Sequence, residues 1–411
     1  MQVLLVRGRP RQAKIATMAT SITDRPRRHL RARAGRGSQE ITTAELFFDL
    51  VYVFAVTQLS HLLLDDLSLA GAGRAAFLLV VVWWAWVYTA WMTNWFDPGS
   101  PAVRSILAGV MLASLLMAAS LPHAFDRDGL LFAASYVALQ VGRNVAATSL
   151  LARDHRLRDV FERLVVWSLA SGVLWLAGAA VDPDRRMLVW GPALALDLLA
   201  PVVGYWLPRR GRARTSDWDI DGGHFAERCQ LFVLIALGES IVVAGATAAD
   251  GGLGPTAVWC LVIAFLETFA LWWLYFGAPT EPARRAVTES DDPGRVARDA
   301  YTYVHLVLIA GIIATAAGDE LLIAEPHHSP HGMGLAILLG GPILFLLGTN
   351  LFQWRATGTV SVKRLLAAAL IVVLLPLAPH ISILALMALI TALLAALAVW
   401  ELRFPAAQRV A

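Results

Sequence analysis

Residues 255–276 have the sequence PTAVWCLVIAFLETFALWWLYF, a run of 22 residues with one charged side chain, Glu267. An α-helix needs about 20 consecutive apolar residues to cross the hydrocarbon core of a bilayer, so this run predicts a transmembrane helix. The whole chain has a similar character. Of its 411 residues, 57% are hydrophobic and 16% are charged, whereas about 25% of the residues in soluble domains are charged. The sequence predicts an all-α polytopic membrane protein and excludes a soluble globule.

Apolar segments of this kind occur along the whole chain. Short loops that contain Gly, Pro and charged residues separate them, and Pro376, Pro379 and His380 divide the last two. We therefore predict about 12 transmembrane helices, at residues 44–64, 74–95, 104–124, 129–151, 160–180, 187–207, 226–247, 255–276, 300–319, 333–353, 361–378 and 380–401.

The positions of Lys and Arg predict how these helices are oriented. With a cytoplasmic N-terminus, 29 of the 34 Lys and Arg residues lie in the N-terminal tail, in cytoplasmic loops or at cytoplasmic helix ends. Only Arg74, Arg127, Arg185 and Arg186 lie on the opposite side, and Arg143 lies within a segment. Cytoplasmic loops are enriched in Lys and Arg, so both termini are predicted to be cytoplasmic.

The first 38 residues differ from the rest of the chain. They contain ten Lys and Arg residues together with Pro and Gly, and they show no sustained apolar period. This composition is typical of disorder. Residues 1–38 are therefore predicted to form a disordered basic cytoplasmic tail, which could contact anionic lipid headgroups, and Met18 is an alternative start.

Short motifs recur about 180 residues apart in three cases and 206 residues apart in a fourth, and they indicate a duplication. The corresponding pairs are Ala44-Glu45 with Ala226-Glu227, Thr57-Gln58 with Glu239-Ser240, Trp91–Phe96 with Leu271–Phe276, and Gly142-Arg143-Asn144 with Gly348-Thr349-Asn350. We predict two six-helix halves, residues 39–225 and 226–411. Because six is even, both halves would have the same orientation, related by an axis along the membrane normal.

Polar residues inside the first segment are candidate functional residues, because a charge in a membrane is costly. Spacings of four and three residues place Glu45, Asp49 and Tyr52 on one helix face, and Ser60 lies close to the same line. Such a stripe must face a polar interior. Alternatively, Glu45 and Asp49 complement the dipole at the helix start. Gln58 is a secondary candidate.

Glu239 lies near the middle of the seventh segment and is followed by Ser240, a secondary candidate. Burial in an apolar medium disfavours the charged form of a carboxyl group, so an unpaired Glu239 is predicted to be protonated. A proton-coupled carrier uses this property. The alternative is a neutral acid that only joins two helices by a hydrogen bond.

Three further charged residues lie deep in segments. Arg143 needs an anionic partner, which Glu45, Asp49 or Glu239 could supply, although an ion pair made only for assembly is an alternative. Glu267 and the secondary candidate Asp197 belong either to a transport pathway or to hydrogen bonds with backbone opened by neighbouring Pro or Gly.

Histidine and tryptophan complete the set of candidates. His305, near the start of the ninth segment, could exchange protons near neutral pH or act as a structural hydrogen-bond donor. The tryptophans concentrate in the second and eighth segments. We interpret them mainly as packing, with a stacking cavity for an organic or cationic substrate as the alternative.

Motifs of soluble enzymes give no further function. The chain has no phosphate-binding loop, nucleophile elbow or zinc-protease motif. Cys229 and Cys260 lie singly in apolar segments and form no metal-binding or disulfide pattern. No cofactor, no metal and no nucleic-acid partner is predicted, and membrane lipid is the expected surrounding.

Four blocks of sequence resemble the bacterial low temperature requirement A family, over residues of about 40–400. They are Ala44-Glu45-Leu46-Phe47-Phe48-Asp49 running to Ser60-His61, Asn94-Trp95-Phe96-Asp97, His224-Phe225-Ala226-Glu227-Arg228 running to Gly238-Glu239-Ser240, and Tyr301-Thr302-Tyr303-Val304-His305 running to Gly318-Asp319-Glu320. The resemblance implies a multi-pass protein of the bacterial inner membrane that is connected with growth in the cold. It supplies neither a substrate nor site residues.

Buried carboxyl groups without a nucleotide motif favour a proton-coupled secondary transporter of an unknown small solute or ion. One alternative is a cation channel, because Phe47-Phe48-Asp49 in a six-plus-six repeat loosely resembles the lysosomal-type potassium channel family. A second is an intramembrane lipid-modifying enzyme that uses the carboxyl groups and His305 as acid and base. The clustered histidines of a di-iron desaturase are missing. The sequence leaves the oligomeric state open.

Overall fold

The computed structural model describes residues 29–31, 40–153, 155–214, 218, 220–277 and 292–404. Within these ranges the regular structure is helical, apart from two isolated β-bridges. The helices are α1 (Thr43–Asp65), α2 (Leu69–Trp95), α3 (Pro101–Ser120), α4 (Gly129–Ser149), α5 (Arg156–Ala179), α6 (Pro183–Val202), α7 (Gly222–Gly251), α8 (Pro255–Phe276), α9 (Gly294–Ala324), α10 (Gly332–Thr357), α11 (Val362–Val373) and α12 (Ile383–Arg403).

Each of the twelve predicted segments overlaps one of these helices, and ten of the helices are long and apolar enough to cross a membrane. The two others are α6 and α11. With 12 residues, α11 is only about 18 Å long, and it ends before Pro376. The segment predicted at 361–378 is therefore a helix of smaller extent. The ten long apolar helices indicate a multi-pass membrane protein.

Side chains at the helix starts explain why the helices begin where they do. Thr42 and Glu45 form a capping box at α1, and the hydroxyl of Ser68 accepts a hydrogen bond from the backbone N–H of Gly71 at α2. The carboxylate of Asp221 caps α7 in the same way. Such caps stabilise a helix by about 1 kcal/mol each. Proline occupies the first turn of α3, α6 and α8, where its missing N–H has no consequence.

Helix α1 packs against α2, α3, α7 and α9, and its outer face, with Phe47 and Leu50, is exposed. Helix α9 packs against α1, α7, α8 and α10. The approach of α9 to α10 depends on glycine. A Cβ atom added at Gly311 would lie 2.4 Å from the backbone nitrogen of Phe345, and one at Gly341 would lie 2.6 Å from that of Thr315. Small residues allow this kind of close packing in membranes.

Residues Ala297–Val304 of α9 form a π-helix rather than an α-helix. Two indoles of α2 bind this segment. Trp83 Nε1 donates to the carbonyl of Thr302 at 2.7 Å, and Trp91 Nε1 donates to its hydroxyl at 3.1 Å. These two hydrogen bonds hold the irregular part of α9 against α2. Short π segments of this kind occur frequently at functional sites.

Of the predicted tail, the structure describes only His29, Leu30 and Arg31. These residues lie along the end of α2. Leu30 forms an antiparallel bridge with Phe96, and the backbone N–H of Arg31 donates to the carbonyl of Trp95 at 2.9 Å. Three residues of the segment predicted to be disordered are thus fixed by backbone pairing, and the rest of that prediction lies outside the described residues.

Candidate functional site

A group of buried charges lies at the face of the bundle where α1 and α7 begin and α2 ends, which we call the N face. Its members are Arg31, Glu45, Asp49, His224 and Arg228, which we call the charge cluster. The side chains of Glu45, Asp49, His224 and Arg228 have no solvent exposure, and that of Arg31 is 8% exposed. Ionised groups so deeply buried must be paired.

Glu45 receives donors from three directions. One oxygen, Oε2, accepts from Arg31 Nη2 at 2.6 Å and from the backbone N–H and hydroxyl of Thr42, each at 2.9 Å. The other oxygen, Oε1, lies 2.9 Å from His224 Nε2 and 3.3 Å from Arg228 Nη1. This carboxylate therefore joins the N-terminal segment, the start of α1 and the start of α7.

Asp49 pairs with Arg228 across α1 and α7. Its Oδ1 accepts from Arg228 Nη2 at 2.6 Å and from Trp86 Nε1 at 2.8 Å. The guanidinium also lies 5.8 Å from the ring centroids of Phe48 and Trp86, within the range of a cation–π contact. Arg228 is thus held by two carboxylates and two aromatic rings.

Asn94 fixes the ring of His224. Asn94 Nδ2 donates to the carbonyl of Asp221 at 2.8 Å, and its Oδ1 accepts from the N–H of Asp221 at 2.9 Å. With this amide orientation, Nδ2 also donates to His224 Nδ1 at 3.2 Å. His224 Nδ1 is then an acceptor, so Nε2 carries the hydrogen and donates to Glu45. The imidazole is neutral, and the two arginines balance the two carboxylates.

Arg143 belongs to a separate polar chain in α2, α4 and α6. Its guanidinium donates to the side chains of Gln140 and Asn144 and to the hydroxyl of Thr89. Gln140 donates to the hydroxyl of Tyr136 at 3.0 Å, and this hydroxyl donates to Asp197 Oδ2 at 3.0 Å. Asp197 also accepts from Trp175 Nε1 at 3.0 Å. The partner expected for Arg143 among Glu45, Asp49 and Glu239 is not found, because α4 supplies neutral acceptors instead.

Two small adjoining cavities, of about 30 and 20 Å³, lie among aromatic side chains near this polar chain. Both are lined by Tyr88, Asn144 and Tyr205, and Trp91 and Trp95 line the larger one. A water molecule requires about 10–15 Å³, so the larger cavity has room for about two. In this conformation the tryptophans of α2 pack and donate hydrogen bonds rather than enclose an organic substrate.

Glu239 contacts α1. The hydroxyl of Thr57 lies within hydrogen-bonding distance of Glu239 Oε1, and the same hydroxyl lies 3.1 Å from the carbonyl of Val53. Ser240, beside it, donates to the backbone of its own helix. Gln58, the secondary candidate on α1, is half-buried. Tyr52 is directed to α3, where its hydroxyl lies 3.0 Å from that of Ser114.

Glu267 of α8 and Asp319 of α9 have no solvent exposure. None of their four carboxyl oxygens has a hydrogen-bond partner among the described residues. The two groups are close enough for their charges to interact. This arrangement contrasts with the charge cluster, where two arginines compensate the carboxylates.

His305 is satisfied by hydrogen bonds in the part of the chain that the structure covers. Its Nδ1 lies 3.2 Å from the carbonyl of Ala300 and its Nε2 lies 2.9 Å from the hydroxyl of Tyr275. Nδ1 therefore carries the hydrogen, and Nε2 accepts from the tyrosine. These contacts fit the structural alternative for His305, because both ring nitrogens are engaged at the π segment.

Comparison with known proteins identifies the family. Residues 40–399 match the model of the family described as bacterial low temperature requirement A protein. The chain belongs to this family. An uncharacterized protein of Rhizobium meliloti (strain 1021) is 36% identical over 359 residues, which cover 87% of this chain and 88% of that protein. No solved structure matches the chain.

The match to the low temperature requirement A family confirms the resemblance, and it includes Glu45, Asp49, Glu239 and Glu267. Sequence reasoning missed Arg31, His224, Arg228 and Asp319 as site residues. His224 and Asp319 lie in the blocks that carry the resemblance, but no sequence pattern indicates which residue either of them contacts. Arg31 was assigned to the tail, because nothing in its neighbourhood predicted pairing with Trp95.

The hydrogen bond from Trp86 to Asp49 yields a first prediction. We expect Trp86→Phe to destabilise this family member by about 1.5–3 kcal/mol more than Trp84→Phe, because it removes a hydrogen bond to a charged group. Trp84 is a matched control, since it is equally buried in α2 and its indole nitrogen donates no hydrogen bond within the described ranges. Thermal unfolding in detergent measures both variants, and equal losses of stability would contradict the role given to Trp86.

Proposed function

We propose that this protein is a proton-coupled secondary transporter of the bacterial inner membrane, with an unknown small solute or ion as substrate. It has two six-helix halves of the same orientation, residues 39–225 and 226–411, and both termini are cytoplasmic. The family's description supports a role in growth at low temperature. The N face is then the cytoplasmic face, in agreement with the distribution of Lys and Arg.

The packing of α1 against α7 supports the proposed division of the chain into two related halves. Thr57 and Glu239 occupy corresponding positions, 182 residues apart, and they contact each other. A residue that contacts its own counterpart lies on a two-fold axis. In addition, α1 packs against α2 and α3, as α7 packs against α8 and α9. In the proposed arrangement Glu239 lies at the junction of the halves, where transporters of repeated structure bind substrates and coupling ions.

The surroundings of Glu239 carry the proposal of proton coupling. Its side chain is buried, and among the described residues its hydrogen-bond partner is a neutral hydroxyl, that of Thr57, which donates to Glu239 Oε1. An ionised carboxyl group that lacks a cation is disfavoured in an apolar interior, so in this proposal Glu239 carries a proton while α1 and α7 are packed as described. Release of the proton would leave an ionised carboxyl group that requires water.

Flux in proteoliposomes tests the proposal. Vesicles that contain a pH-sensitive dye receive a potassium gradient, with and without candidate solutes. We expect proton movement only when a particular solute is present, and we expect Glu239→Gln to reduce it to the level of protein-free vesicles. Glutamine can still accept the hydrogen bond from Thr57 but cannot release a proton. Glu325→Gln, in an exposed loop, is the control and should transport normally.

Other outcomes would favour the two alternatives. Proton or potassium movement that needs no added solute would indicate a cation channel. If the folded protein gives no flux, both transport functions are contradicted for the solutes used. The lipid composition of a deletion strain would then test the intramembrane lipid-modifying enzyme, since only that function requires altered lipids.

A further inference from the structure

We propose that Glu267 and Asp319 form a second proton-binding site, in which both carboxyl groups carry a proton in the conformation described here. Binding of the protons does not require transport. The use of the site in coupling rests on the proposed function, with Glu239 as the first site.

Two observations carry this inference: both carboxyl groups are buried, and no described hydrogen-bond donor lies beside them. Both residues have no solvent exposure, and their four oxygens have no donor among the described residues. An ionised carboxyl group without donors is strongly disfavoured in an apolar interior, and two such groups within interacting distance disfavour each other's charge as well. A proton from water converts each carboxylate into a neutral acid and removes both penalties.

The neighbouring helices supply no compensating cation. Helices α1, α2, α7, α10 and α12 pack against α8 or α9. Among them, α10 and α12 have no titratable side chain in the halves nearer Asp319. The charged or titratable groups of the other helices and of α8 and α9 themselves, on that side of the bundle, are His61 and Asp65 of α1, Arg74 of α2, Glu239 and Asp250 of α7, Cys260 of α8, and Glu320 of α9. No described residue forms an ion pair with Glu267 or Asp319.

A proton fits these two residues better than a metal ion does. Within the residues described, no group of three or more His, Cys, Asp and Glu side chains is placed to hold a metal. Cations such as Ca²⁺ require six or more oxygen ligands, which two carboxyl groups cannot supply. A bound proton makes each carboxyl group neutral and needs no further ligands.

Glu320 offers this site a connection to the face opposite the N face. It follows Asp319 directly, it is partly exposed, and its charge interacts with those of His61 and Asp65 at the end of α1. In the proposed transporter, Glu267 and Asp319 would therefore exchange protons with the face opposite the N face.

Infrared spectroscopy of the purified full-length protein in lipid vesicles tests the pair directly. The C=O stretching band of protonated carboxyl groups is recorded from acidic to alkaline pH for the parent protein, Glu267→Gln, Asp319→Asn and the double variant. We expect the double variant to lack a band that the parent shows at neutral pH, and each single variant to lack about half of it. In the parent the band should disappear in two coupled steps as the pH rises. Glu320→Gln, one residue away, should retain the full band.

The readout separates this inference from the proposed function. Equal bands at neutral pH in the parent and in both single variants would overturn the proton pair, whatever the flux measurements show. The single variants decide the matter even if the double variant does not fold. The band without any solute-dependent flux would leave the pair intact and contradict the transporter.

Discussion

Replacement of Arg228 by methionine is expected to destabilise the folded protein by about 3–5 kcal/mol, which is the loss usually seen when one partner of a buried ion pair is removed. The reason is the charge that remains. Asp49 would retain only the hydrogen bond from Trp86, and the charge cluster would contain two carboxylates and one arginine. The measurement is the free energy of unfolding in a mild detergent with increasing denaturant.

A second substitution separates loss of pairing from loss of packing. If the uncompensated charge causes the instability, Asp49→Asn should restore much of the stability of Arg228→Met, because the double variant is neutral again. Arg355→Met is the matched control. It breaks the ion pair with Asp299, in which Arg355 is 41% exposed, and exposed pairs contribute at most about 1 kcal/mol. A double variant no more stable than Arg228→Met would contradict the electrostatic explanation.

The second large loss of stability is expected when the contact between α9 and α10 is disturbed. A Cβ at Gly341 would lie 2.6 Å from the backbone nitrogen of Thr315 and 2.7 Å from its hydroxyl oxygen. Backbone cannot move aside as a side chain does, so Gly341→Val must separate the two helices. We expect a loss of about 3 kcal/mol, at the upper end of the usual range for overpacking.

Gly340 provides a control one residue away. A Cβ at Gly340 has nothing within 4 Å, so Gly340→Val should change stability little although the chemical substitution is the same. Thermal unfolding of both variants, followed by size-exclusion chromatography, measures the difference. Similar midpoints for the two variants would show that α9 and α10 can separate without cost.

The sequence was sufficient to place the helices, and the reason is physical. In a membrane, the backbone N–H and C=O groups of an apolar run find no water to bond with. They must pair within the run itself, so the run forms a helix regardless of its neighbours. All twelve predicted segments therefore overlap helices. The extent of α11 was harder to predict, since Pro376 and Pro379 mark a break without telling how far before them the helix ends.

Partners of the buried charges were harder to predict than their positions. Glu45 and Asp49 were identified from their spacing, but the pairing with Arg228 and His224 depends on how α7 packs against α1. Arg143 illustrates the limit. An arginine in a membrane predicts a carboxylate partner, yet Gln140, Asn144 and Thr89 satisfy its guanidinium. For Glu267, no sequence pattern indicates that Asp319, 52 positions later, interacts with it.

The balanced composition of the charge cluster determines how the membrane potential acts on the protein. Moving one elementary charge through a potential of 100 mV changes the energy by about 2.3 kcal/mol. Two arginines and two carboxylates that move together have no net charge, so a displacement of the starts of α1 and α7 would be insensitive to voltage. In the proposed transporter, any dependence of the rate on voltage would then come from charges outside this cluster, such as the transported protons or solute.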